Sequence, residues 1–206
     1  MVGSLSGTPL MIVYLHGFRS APASIKAQAL KSRMLERGLG ERFWCEQLPV
    51  SPRAAIALAE AEIARARSAG LQPTVVGSSL GGYYATWLAE SHALRAVLVN
   101  PAVVAPLELE AFVGIQDNLY TGEHFEFTRA HIDELRAFET VAITQPERYW
   151  LLAETGDEVL DYRHAVSKYA DARQTILDGG DHSFSRWHDY LDAVIDFAGL
   201  GMENAR

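Results

Sequence analysis

The chain has 206 residues, 49% of them hydrophobic, and a formal charge of −8. That length and apolar content suit one domain with a substantial core, and the acidic balance argues against nucleic acid and anionic membrane surfaces as partners. The single cysteine, Cys45, excludes an internal disulfide and fits a reducing compartment.

Residues Met1 to Pro9 lack the basic start and apolar core of a secretory signal and read as a flexible N-terminal extension, residues 1–9, of a cytoplasmic protein. No apolar run reaches the length of a membrane span. Leu10 to Leu15 is a continuous apolar strand, as expected where both faces of a parallel sheet are covered. A helix follows from about Ser24 to Arg37, with Ala27, Leu30 and Met34 on one face and Gly38 as its stop. Phe43 to Leu48 reads as a second strand, which places Cys45 inside it as a buried structural thiol. Ser51-Pro52 gives an N-cap and a first-turn proline to a helix presenting Ile56, Ala59, Ile63 and Ala66 and ending at Gly70.

Thr74-Val75-Val76 is a third strand, and a helical pattern runs from Tyr83 to about His92. A fourth strand, Ala96 to Val99, closes at Asn100-Pro101. Later come a fifth strand, Tyr149 to Leu152, a sixth, Gln174 to Leu177, and a last helix with Trp187, Leu191, Val194 and Ala198 on one stripe. This alternation predicts one α/β domain over residues 1–206, a doubly wound, mostly parallel six-stranded sheet with helices on both faces. Residues 102–148, between the fourth and fifth strands, exceed one crossover. They carry Phe112, Tyr120, Phe125, Phe127 and Phe138 and a Tyr-Thr-Gly turn at Tyr120 to Gly122. They read as a small helical lid plus a crossover helix around Ile132 and Leu135, the alternative being a second crossover helix and a long surface loop.

Gly77-Ser78-Ser79-Leu80-Gly81-Gly82 stands between the third strand and its helix. Strand, Gly-x-Ser-x-Gly, helix is the setting of a nucleophile elbow: Ser79 sits on a sharp, strained turn, and Gly77 and Gly81 remove the collisions that side chains would make there. By itself the pattern is short enough to arise by chance or as a tight strand-to-helix turn, so the other parts of such a site must follow in order. An acid and then a histidine are required after the serine. The turn after the fifth strand offers Asp157, Glu158 and Asp161, and Asp157, directly after Gly156, is favoured. The turn after the sixth strand offers His182 in Gly179-Gly180-Asp181-His182, with Asp181 read as a solvated loop residue. Both turns fall on the sheet edge that carries Ser79. The turn after the first strand, His16-Gly17-Phe18, would face the elbow across the point where the winding reverses. The backbone N–H groups of Leu80 and Phe18 are then candidates for an oxyanion hole, with His16 orienting the loop. Neither a metal-ligand spacing nor a dinucleotide or phosphate-loop fingerprint is present, so no cofactor and no metal are expected.

Leu15-His16-Gly17-Phe18, the run from Gly77 through Leu88, Val99-Asn100-Pro101-Ala102, the run from Thr155 through Arg163, and Gly179-Gly180-Asp181-His182 together resemble the YqiA/YcfP family of small bacterial α/β-hydrolase esterases, from about Met11 to Leu200. The resemblance implies an α/β-hydrolase fold and a cytoplasmic serine esterase that hydrolyses small-molecule carboxylic esters or acyl thioesters, such as acyl-CoA, with Ser79, Asp157 and His182 as its triad. Two alternatives stand beside it: a lipase or peptidase using the same triad, and a catalytically silent ligand-binding protein on the same fold. Substrate-binding residues and oligomeric state are not legible.

Overall fold

The computed structural model describes residues 9–200. All of the expected extension but Pro9, and the last six residues, lie outside the described residues. In chain order the elements are β1 (Leu10–Leu15), α1 (Ile25–Glu36), β2 (Phe43–Trp44), α2 (Pro52–Ser68), β3 (Gln72–Ser78), α3 (Leu80–His92), β4 (Arg95–Val99), α4 (Ala105–Glu108), β5 (Gly114–Asp117), β6 (His124–Phe127), α5 (Arg129–Ala137), β7 (Tyr149–Glu154), α6 (Tyr162–Lys168), β8 (Arg173–Leu177) and α7 (Trp187–Phe197).

Six strands form one parallel sheet in the order β2-β1-β3-β4-β7-β8. The chain steps outward from β1 to β2, then returns past β1 to β3. The winding reverses between β1 and β3, where the sequence placed it. Successive side chains of a strand point to opposite faces, and the core divides accordingly. Val13, Leu15, Val75, Ala96, Leu98 and Leu151 pack toward α2, α3 and α5, with Ile56, Ile63, Leu88 and Leu135 opposite them. Ile12, Tyr14, Val76, Val97, Trp150 and Leu152 pack toward α1 and α7, against Leu30, Met34, Trp187 and Val194. Both faces of the central strands are therefore buried, which is why β1, β3 and β7 read as near-continuous apolar runs.

Three expectations are revised. The second strand stops at Trp44 rather than Leu48, because the chain leaves β1 there. The N–H of Leu48 donates instead to His16 Nε2 at 3.0 Å. Cys45 consequently lies just past the strand, half-buried, with its thiol pushed up to about 12 by burial. Helix α3 begins at Leu80, three residues earlier than its apolar pattern suggests, since Gly81 and Gly82 are helical. The segment from residue 102 to 148 contains, besides α4 and the crossover helix α5, an antiparallel hairpin of β5 and β6 that the sequence reading did not contain; the Tyr-Thr-Gly turn lies in its connection.

Candidate active site

Ser79 adopts φ 54 and ψ −123, strained backbone for a residue with a Cβ, on the one-residue turn between β3 and α3. The neighbouring glycines are present for close approach. A Cβ on Gly77 would fall on the carbonyl of Gly81, and one on Gly81 on the carbonyl of Leu15. The turn after β1 sits against the elbow: a Cβ on Gly17 would meet Ser79 Cβ at 3.1 Å and the carbonyl oxygen of Ser78 at 3.3 Å. Leu80 is the first residue of α3, so its N–H belongs to the helical turn that has no intrahelical acceptor. Phe18 follows Gly17 on the facing turn. The positive end of α3 therefore lies beside Ser79.

His182 and Asp157, from the turns after β8 and β7, meet Ser79 in one hydrogen-bonded chain. Ser79 Oγ donates to His182 Nε2 at 3.0 Å, and His182 Nδ1 donates to the two oxygens of Asp157 at 2.8 and 3.0 Å. The Asp157 side chain is 2% exposed and that of His182 22%. Asp157 Oδ1 also accepts the N–H groups of Val159 and Leu160, at 2.9 and 2.8 Å, which fixes the carboxylate where it meets the imidazole. Glu158 accepts from the His182 N–H at 2.9 Å and so positions backbone, while Asp161 N-caps α6 and pairs with Arg163.

His16 orients its loop. It is 4% exposed, accepts from the Leu48 N–H and donates through Nδ1 to the Gly17 carbonyl at 3.0 Å; burial holds its pKa below the ordinary imidazole value.

The loop carrying His182 rests on two residues that the sequence did not single out as functional. Glu154, the last residue of β7, is fully buried. Its Oε2 accepts the N–H groups of Asp181 and Ser185 at 2.9 and 3.1 Å, and its Oε1 lies 3.0 Å from Arg186 Nε. A carboxylate ending an otherwise apolar strand was the available signal. Asn100, at φ 40, donates to the carbonyls of Asp181 and His182; its place at the end of β4 before a proline was visible, its partners were not. Asp181, expected as a solvated loop residue, is half-buried: its N–H donates to Glu154, and its Oδ1 is out of solvent with no hydrogen-bond partner.

Two cavities flank the turn of residues 16–20. One of 360 Å³ contains Ser79 and His182 and is walled by the start of α1 and by Leu119 and Tyr120 from the hairpin connection. The other, of 540 Å³, lies toward α2 and is lined by Phe18, Leu48, Val50, Leu80, Tyr84 and Phe125. Residues 112–127 are pinned over this region. The Phe18 ring packs edge-on against Phe112, Phe125 and Phe127, and the Leu119 N–H donates to the Arg19 carbonyl at 2.8 Å. Among the described residues no cluster of side chains is arranged to hold a metal ion, and no helix is long and apolar enough to cross a membrane.

The sheet order, the elbow after β3 and the turns after β7 and β8 define an α/β-hydrolase fold. Solved structures share it at low identity. An Agrobacterium vitis S4 protein matches with a TM-score of 0.71 and 20% identity over 92% of this chain and 88% of its own. Mouse alpha/beta hydrolase domain-containing protein 10 matches at 0.64 and 17%, over 93% and 92%. The monoacylglycerol lipase of Paleococcus ferrophilus matches at 0.65 and 16%, over 94% and 96%. The model of the uncharacterised protein family UPF0227 matches residues 11–199, and the chain belongs to that family, the YqiA/YcfP family that its motifs resemble.

Proposed function

We propose that the protein is a serine esterase acting on small-molecule carboxylic esters or acyl thioesters. The observation that carries this reading is the continuous chain Ser79–His182–Asp157 on a strained strand-to-helix turn. In the mechanism, His182 Nε2 takes the hydroxyl proton as Ser79 Oγ attacks the acyl carbonyl. The N–H groups of Leu80 and Phe18 receive the oxyanion. His182 then gives its proton to the departing oxygen or sulfur, and a water molecule, deprotonated by the same imidazole, cleaves the acyl-enzyme and regenerates Ser79. Asp157 stays ionised and keeps the Nδ1–H tautomer that leaves Nε2 free to accept. The chemistry uses no metal or cofactor.

The two cavities divide the substrate. The leaving atom must come within reach of His182 Nε2, so the leaving group belongs in the cavity that His182 lines. The acyl group then takes the larger cavity on the Leu80 and Phe18 side, which Leu48, Val50 and Phe125 also line. The segment of residues 102–148 acts as a lid, its hairpin closing both cavities from above.

The test is a fluorophosphonate probe with the adduct located by mass spectrometry and Ser79→Ala as control. Labelling confined to Ser79, with kcat on a short-chain ester reduced on the order of 10⁴-fold or more in Ser79→Ala, is the expected result. Absence of label on folded protein, or undiminished turnover by Ser79→Ala, would replace this reading with that of a ligand-binding protein.

A further inference from the structure

The cavity beside Ser79 holds a charged side chain that the proton relay does not use. Lys26, in the first turn of α1, lines it together with Ser79 and His182. Its Nζ donates to the carbonyl oxygen of Ser183, one residue past His182, at 2.8 Å. That bond uses one of the three ammonium hydrogens. Among the described residues no carboxylate makes an ion pair with Lys26. Burial pushes its ammonium down to about 8, against the opposing pull of Asp181, Asp157 and Glu154. Glu154 is engaged by Arg186 and the loop N–H groups and Asp157 by His182 and two N–H groups, while Asp181, the strongest of the three pulls, acts on the ammonium without a direct ion pair.

The wall facing the cavity is otherwise suited to a negative group. No aspartate or glutamate lines it, in a chain whose net charge is −8. Ser20, Ser24 and Tyr120 add hydroxyls. Ser24, only 6% exposed, is the N-cap of α1 yet makes no capping bond with its side chain. The first turn of α1 has no acidic residue, so its positive end is not offset locally. A half-buried ammonium with spare donors, open hydroxyls and a helix N-terminus converge on the side of Ser79 from which the leaving group departs.

We propose that this cavity is a leaving-group subsite for anions, and that Lys26 selects esters whose leaving group carries a carboxylate or phosphate-type group within a few bonds of the scissile atom. The inference rests on the esterase reading above. Lys26 lines the same 360 Å³ cavity as Ser79 and His182, so the charge it recognises is close to the reacting bond. Lys26 acts by binding and takes no part in bond making or breaking.

The test uses three nitrophenyl acetates identical but for one ring substituent: a carboxylate, a phosphonate, or a neutral carboxamide. Rates are normalised to spontaneous hydrolysis. In the wild-type protein at least one charged ester should exceed the carboxamide in kcat/KM by about ten- to hundredfold, the range set by a charge-assisted hydrogen bond. Which charged ester leads identifies the anion. Lys26→Met should abolish that ratio whatever its absolute activity, and Lys26→Arg should keep most of it. Equal kcat/KM for all three esters in the wild-type protein overturns the proposal, as does a charge preference that survives in Lys26→Met. Labelling of Ser79 with turnover of the neutral ester alone removes the anion subsite and leaves the esterase standing. Absence of both labelling and turnover removes the esterase reading, and the subsite with it.

Discussion

Asn100 ties the end of β4 to the backbone of His182. Its Nδ2 donates to the carbonyl oxygens of His182 at 3.1 Å and Asp181 at 2.9 Å, while its Oδ1 accepts the N–H of Glu154 at 2.9 Å. One amide thus spans three pieces of chain that meet only in the folded protein: the strand next to the elbow, the end of β7 and the loop of the proposed general base. The left-handed backbone of Asn100 is one that asparagine tolerates better than other residues with a Cβ.

Replacing this residue should therefore cost both stability and activity. Asn100→Ala leaves the buried N–H of Glu154 without an acceptor, about 1–3 kcal/mol, and places alanine at positive φ, about 1–2 kcal/mol more. A fall in Tm of roughly 4–20 °C should result, with kcat on a short-chain ester reduced in the fraction that remains folded. Asn100→Asp keeps the acceptor but sets a buried carboxylate oxygen against the two carbonyls that Nδ2 served, and should lose at least as much. A thermal melt of Asn100→Ala indistinguishable from wild type would show that the clamp contributes little.

The elbow was legible because its constraints are local. Gly77 and Gly81 are needed by chain within a few residues or on the adjacent strand, and the strand-to-helix setting appears in consecutive residues. Asp157 and His182 were legible because parallel strands bring their C-terminal turns to one edge, so position after a strand is already a position in space. Asn100, Glu154 and Lys26 were not, since their roles depend on how residues 179–186 fold against β4, β7 and α1, which no local pattern encodes. The hairpin of β5 and β6 was missed for a different reason. Each strand has four residues, and Gly-Ile-Gln-Asp and His-Phe-Glu-Phe are too short and too polar for a period of two to stand out. The end of β2 was misjudged because an edge strand that leaves the sheet can retain apolar residues: Leu48 is buried without being in a strand.

Alkaline pH should unfold the protein cooperatively. Tyr14, Tyr83, Tyr84, Tyr149 and Tyr169 all have phenols held above their ordinary pKa, chiefly by burial. Below about pH 10, the ordinary phenol value, both folded and unfolded chains keep these protons and their contribution to stability is complete. Above it the unfolded chain ionises while the folded chain resists, so the unfolded state binds fewer protons and stability falls as pH rises. The tyrosinate absorbance of these five and the loss of far-ultraviolet ellipticity should then rise together in one transition above about pH 10. Tyrosinate signal from all eight tyrosines in a chain that retains its ellipticity would contradict the buried placement.

The two aspartates after β7 should separate cleanly in kinetics. Asp157 is held by His182 and two backbone N–H groups, with its side chain 2% exposed. Asp161 faces solvent, caps α6 by accepting from the Arg163 N–H, and has its carboxyl lowered to about 2 by hydrogen bonds from Arg163. Asp157→Asn removes the charge that stabilises the imidazolium and turns an acceptor into a donor that favours the wrong tautomer. A loss of kcat on the order of 10⁴-fold should follow, with the fold intact. Asp161→Asn keeps an N-cap of equal quality and should leave kcat within about twofold, the scale of an exposed pair worth under 1 kcal/mol. Steady-state kinetics of both variants on one ester, beside their circular dichroism, decide the matter. Equal losses in the two would mean that the carboxylate partner of His182 has been misassigned. A small loss in Asp157→Asn alone would mean that the serine and histidine work without an acidic partner.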